Sequence, residues 1–201
     1  MKTTPRTLDV TPLPDYAFGH RSPMWWGTMG IIFIEGTMFA ALLATYFYLE
    51  SQSAAWPPGL GPPELLYGTL NTIILLASCW PNHMYKQAGQ REDLRGVRLW
   101  MVVSIVFAVA FIVVRVFEFK ALNCRWSDNA YASITWTLLG FHTAHLVTDL
   151  LDTAVLTVLM FTGPLKGKRF GDVAENGMYW YFVVWAWLPI YVTLYLVPRW
   201  W

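Results

Sequence analysis

The sequence predicts an all-α fold, a polytopic bundle of five transmembrane helices. Three observations carry this. Of 201 residues, 56% are apolar and 13% charged. The apolar residues come in blocks instead of alternating with polar ones, and five blocks approach or exceed the roughly 20 residues a helix needs to cross hydrocarbon. Short connections between the blocks favour antiparallel neighbours.

Residues 1–25 form a polar arm carrying Pro5, Pro12, Pro14 and Pro23. The arm has no apolar core followed by a small-residue cleavage site, so no cleaved signal peptide is expected. The transmembrane domain is expected over 26–201. Its first span, about 26–49, sets Gly36, Ala40 and Ala44 four residues apart, a row along which a neighbouring helix can approach closely. After a rigid connection rich in proline and glycine (51–63), further spans are expected at about 65–85, 97–119, 130–161 and 177–198. Pro81 and Pro189 each lack a backbone donor and imply a kink or an end in spans two and five. Trp26, Tyr46, Tyr85, Trp126, Trp180 and Trp200, with Trp201, lie near span ends, where an amphipathic ring suits the headgroup region.

Lysine and arginine set the orientation. The arm (Lys2, Arg6, Arg21), the second connection (Lys86, Arg91, Arg95, Arg98) and the fourth (Lys166, Lys168, Arg169) hold ten of the 14 basic residues, against Arg115, Lys120, Arg125 and Arg199 on the other side. A cytoplasmic N-terminus and an outside C-terminus follow. A net charge of +1 and no basic stripe interleaved with aromatics argue against a nucleic-acid partner. Cys79 and Cys124 fall towards opposite ends of the bundle, too far apart for a disulfide.

Span four contains the most informative segment. His142, His145, Asp149 and Asp152 fall within an arc of about 80° on a helix and form one polar stripe. A charge at mid-membrane costs from about 3 kcal/mol upward, so the stripe should face another helix, a cavity or a bound polar group. Glu35, midway along span one, has three readings: a proton carrier, a neutral acid hydrogen-bonded to a neighbouring helix, or an ion-paired structural residue. Glu175 and Asn176, just before the expected start of span five, suit a helix N-terminus. Four histidines, two of them near the membrane boundary, make a thin set for a metal or a haem. No phosphate-cradling loop, dinucleotide fingerprint, nucleophile elbow or His-Glu-x-x-His occurs. No catalytic residue or metal ligand is assigned.

Four segments, in order, resemble subunit III of the haem–copper oxidases. Gly30-Ile31-Ile32-Phe33-Ile34-Glu35-Gly36-Thr37-Met38-Phe39-Ala40 is similar to the family's buried-glutamate helix, and Asn71-Thr72-Ile73-Ile74-Leu75-Leu76-Ala77-Ser78 to its next helix. Ser127-Asp128-Asn129-Ala130-Tyr131 precedes Gly140-Phe141-His142-Thr143-Ala144-His145, which resembles the family's Gly-Phe-His-x-x-His. Glu175 ahead of Tyr179-Trp180-Tyr181-Phe182-Val183 resembles the start of its last helix, and Glu118 matches a further glutamate. Where the family often has Trp-His-Phe-Val-Asp, this chain has Tyr181 for the histidine and Val184 for the aspartate; Asp149 and Asp152 replace small or apolar residues.

The resemblance implies the shorter, five-helix form: an accessory subunit without cofactors, packed on subunit I of a terminal oxidase in the bacterial cytoplasmic membrane. Haems and copper would lie in partner subunits, with subunit II and other oxidase or supercomplex subunits as further neighbours. Structural phospholipid would be held or helices locked by His142, His145 and Glu175, with Glu35 a buried acid near subunit I, and the subunit would support proton uptake and active-site lifetime. Three alternatives stand beside it: the equivalent subunit of a quinol oxidase or nitric oxide reductase, a stand-alone proton-coupled transporter relaying through Glu35 and the His/Asp stripe, and a cytochrome-type redox enzyme.

Overall fold

A computed structural model describes residues 18–59, 61–163 and 167–200. Lys2, Arg6, the three prolines of the arm before Pro23, Lys166 and Trp201 lie outside the described residues. Five long helices follow one another: α1 (Pro23–Ser51), α2 (Leu65–Gln90), α3 (Leu94–Ala121), α4 (Ala130–Thr162) and α5 (Gly167–Tyr191), the last continued by a π turn (Val192–Leu196) and a short α6 (Val197–Trp200). Among the described residues, four spans are long and apolar enough to cross a membrane: α1, α3, α4 and Arg169–Trp200. The α2 helix falls short in mean hydropathy, because it carries Asn71, Thr72, Ser78, Asn82 and His83 among its apolar residues.

Local chemistry explains the helix starts. Pro23 opens α1, where its missing N–H costs nothing. Asp93 caps α3 by accepting from the Arg95 amide (3.2 Å), and Asn129 caps α4 by accepting from Ala132 (2.8 Å). The fifth helix begins ten residues before the expected boundary at 177, at Gly167, so Glu175 and Asn176 lie two turns inside it and are not caps. Pro189 sits within α5, and three residues later the backbone loosens into the π turn; π turns of this kind occur as single insertions in longer helices.

The α2, α3, α4 and α5 helices close a ring in which each packs on the next, and α1 lies outside it across α4 and α5. The core between them holds Leu75, Phe111, Leu138, Leu146, Trp187 and Leu194, all nearly inaccessible. Gly36 meets Phe182 of α5, but Ala40 and Ala44 point outward, so the small-residue row is used only in part within this chain. Trp26, Trp126 and Trp200 are exposed as membrane anchors should be; Tyr46, Tyr85 and Trp180 are instead core residues.

Candidate functional site

Two polar networks occupy the interior. The first joins α2, α3, α4 and the end of the last helix. Arg115 Nη1 lies 2.9 Å from Glu118 Oε2, one turn further on in α3, and both side chains are almost fully buried (1% and 2% exposed). Asn71 Nδ2 and the Tyr195 hydroxyl also donate to the Glu118 carboxylate. The guanidinium carbon is 4.2 Å from the centre of the Trp187 ring and 4.7 Å from that of Phe111, so the cation sits in the corner of two rings set at 87° to each other. Arg115 Nη2 reaches His142 Nδ1 at 3.5 Å, and His142 Nε2 lies 3.0 Å from the Val183 carbonyl. Arginine and a carbonyl allow one assignment: Nδ1 accepts, and Nε2 carries the proton and donates. Arg115 therefore belongs to the bundle interior, not to the outer basic set in which the sequence placed it.

The second network lies between α1, α4 and α5. Tyr179 Oη donates to Glu35 Oε2 at 2.6 Å, and His145 Nε2 is 3.6 Å from Glu35 Oε1. His145 is fixed from its other nitrogen, where Nδ1 donates to the Phe141 carbonyl at 2.7 Å. Asn176 is the hub below. Its Oδ1 accepts from Tyr85 (3.1 Å) and Thr153 (3.2 Å), while its Nδ2 donates to Asp152 (3.2 Å) and, at 3.5 Å, to Asp149. Asn82 of α2 donates to the Gly177 carbonyl (3.0 Å), tying the same level together.

The structure thus divides the expected stripe. His142 turns into the Arg115 network, whereas His145, Asp149 and Asp152 face α1 and α5. Both groups sit on one side of α4, but the helix is wedged between two neighbours, and an arc of about 80° spans both contacts. Glu35 (25% exposed) is pinned to α5 by Tyr179. Asp149 and Glu175 are buried, and Asp149 Oδ2 and Glu175 Oε2 have no hydrogen-bond partner among the described residues. A cavity of about 570 Å³ opens between α1, α4 and α5, lined by Glu35, Asp149, Asp152, Glu175, Asn176 and Tyr179 among others.

Sequence reasoning missed Arg115, Asn71, Tyr195 and Tyr179 as network members. Arg115 and Glu118 did carry a signal, since oppositely charged residues three apart share a helix face. No group of three or more His, Cys, Asp or Glu among the described residues is placed to hold a metal ion. Both cysteines are free, Cys79 partly exposed and Cys124 buried.

A family model for cytochrome c oxidase subunit III matches residues 13–201. The chain belongs to that family. It is an integral membrane protein and an accessory subunit of a haem–copper oxidase complex. Among its relatives, the cytochrome c oxidase subunit 3 of Thermostichus vulcanus is 28% identical over 186 residues, covering 92% of each chain. That of Synechocystis sp. is 28% identical over 98% of this chain and 88% of its own. A heme-copper oxidase subunit I+III from Aeropyrum pernix is 26% identical over 88% of this chain and 22% of its own length.

Proposed function

We propose that this subunit docks on oxidase subunit I through α1, holds phospholipid in the α1/α4/α5 cavity, and so supports proton uptake and the lifetime of the neighbouring active site. The observation that carries the reading is the placement of α1. It lies outside the four-helix ring, it is the least buried of the four apolar spans, and Glu35 of α1 is tied to the ring by Tyr179 and His145. Its outward residues, Phe33, Ile34, Ala40 and Ala44, offer an apolar, partly small-residue face for another transmembrane helix. The Aeropyrum relative, named for subunits I and III together, supports a contact with subunit I. Subunit II and supercomplex partners would lie beyond it, and the haems and copper in the partner subunits.

In this reading His142 locks α3, α4 and α5, while Glu35, Asp149, Asp152 and Glu175 border the lipid site and His145 holds Glu35 from α4. The N-terminal end faces the cytoplasm of a bacterial cell. With Arg115 buried in the bundle, the charge bias toward that side is stronger than the sequence count suggested. Removing the chain from the oxidase tests the proposal. The complex should keep its haem spectrum but inactivate sooner during turnover or take up protons more slowly; loss of haem on removal would contradict an accessory role.

A further inference from the structure

Asp149 and Asp152 stand one turn apart on α4 and share a hydrogen-bond donor. Asn176 Nδ2 lies 3.5 Å from Asp149 Oδ1 and 3.2 Å from Asp152 Oδ2. Those two oxygens are thus within about 7 Å of each other, a range over which like charges repel in a poorly hydrated interior. The charges that act most strongly on Asp149 are those of Asp152 and Glu35, both negative. Around the pair stand His145 beside Glu35, Tyr179 on the other Glu35 oxygen, Asp172 and Glu175 on α5, and Tyr85 and Lys86 on α2, the lysine within electrostatic reach of Glu175.

Hydrogen-bond donors run short at this point. The two N–H groups of Asn176 Nδ2 face three acceptors, the third being Thr153 Oγ1 at 3.1 Å. The Tyr85 and Thr153 hydroxyls donate to Asn176 Oδ1, and Tyr179 donates to Glu35. Asp149 is 3% exposed, and its Oδ2 has no partner among the described residues. An ionised carboxylate only accepts hydrogen bonds, whereas a protonated carboxyl also donates one. One proton on the pair therefore supplies a missing donor and removes the repulsion between the two groups. We infer that Asp149 and Asp152 form a proton-binding site, a pair that holds one proton between them and exchanges it through the α1/α4/α5 cavity. Asp149, the buried member, keeps the proton; Asp152, exposed and lining the cavity, is where it enters and leaves. The site goes beyond the accessory role above, and it stands whether or not lipid occupies the cavity.

The test uses the oxidase complex containing this chain, produced with aspartate carrying carbon-13 at its side-chain carboxyl and studied by infrared difference spectroscopy at neutral pH. The reference is the same complex bearing Asp149→Asn and Asp152→Asn together, replacements that keep the shape of both side chains. The native-minus-variant spectrum should show the carboxylic-acid C=O band of one protonated aspartate per copy of the chain, displaced by the carbon-13 label. Loss of no such band means an ionised pair, and loss of two means two separate acids; either result overturns the shared proton. In deuterated buffer the band should shift without unfolding of the complex, and a shift seen only on denaturation overturns exchange through the cavity. Asp149→Asn alone should lose the same band, because an exposed Asp152 held by Asn176 ionises once its acidic neighbour is gone; a band that persists overturns the assignment to Asp149. One reading needs no variant to fold: the unaltered complex must itself show a protonated, carbon-13-labelled aspartate, and a spectrum without one overturns the proposal.

Discussion

Glu35 stands among residues that accept only certain replacements. Tyr179 donates to one carboxyl oxygen and His145 faces the other, so glutamine, which keeps an acceptor in the same place, should assemble nearly as well as the native residue. Lysine would bring a cation to the imidazole and offer Tyr179 no acceptor. Yields of purified complex should therefore be close to native for Glu35→Gln and sharply reduced for Glu35→Lys; equal loss in both would contradict the hydrogen-bonded role. Gly68 is constrained by space: a Cβ there would lie 2.7 Å from Tyr195 Cζ. Gly68→Ala must push the ring away from Glu118, at a cost of about 1–3 kcal/mol typical of overpacking. Thermal unfolding in detergent should report this as a lowered midpoint, and an unchanged midpoint would show that Tyr195 is free to move. Cys124, between α3 and α4, is shielded by burial, which together with the Asp128 charge pushes its thiol up from the usual value. The thiolate is the reactive form, so maleimide labelling at neutral pH should be slow, rise with pH, and become fast only on denaturation; intact-mass analysis reads all three.

At the level of elements, the Arg115–Glu118 pair makes the third helix a hub. Asn71 from α2, His142 from α4 and Tyr195 from the π turn all converge on this pair, and Trp187 of α5 covers it. Removing one member of a buried pair leaves the other charge uncompensated, at about 3–5 kcal/mol. Arg115→Met alone should thus be strongly destabilising, and adding Glu118→Gln should recover part of the loss, because the amide still accepts from Asn71 or Tyr195. A double-mutant cycle on thermal stability measures this; simple additivity would remove the network from the account of the fold. The π turn after Pro189 belongs to the same unit, since it carries the residue that donates to Glu118. Its place in the sequence shows only as a proline inside an apolar span, which predicts a disturbance and not its form.

For the whole molecule, the five long helices were legible because long apolar blocks leave few alternatives, although α2 is not apolar enough to count among the four membrane-capable ones found in the described residues. The start of the fifth helix was not, since its first turns are polar and glycine-containing (Gly167–Gly171) and no hydropathy step marks them. Glu35, His142, His145, Asp149 and Asp152 stood out as polar groups in apolar runs. Their division into two networks could not be seen, because it depends on which neighbours wedge against α4, a tertiary fact. Tyr179 and Tyr195 escaped notice for a related reason: a tyrosine in a membrane span reads as an anchor until the acid it meets is known. These features describe a subunit with a closed four-helix ring, an outlying and little-buried α1, which we propose faces a partner, and an acidic cavity between them. The most direct measurement is a mild-detergent pull-down of this chain from its native membrane, with mass spectrometry of the partners and an optical spectrum of the eluate. Recovery with haem–copper subunits I and II and a haem spectrum is expected; a colourless chain recovered alone would contradict the role as an oxidase subunit docked on subunit I.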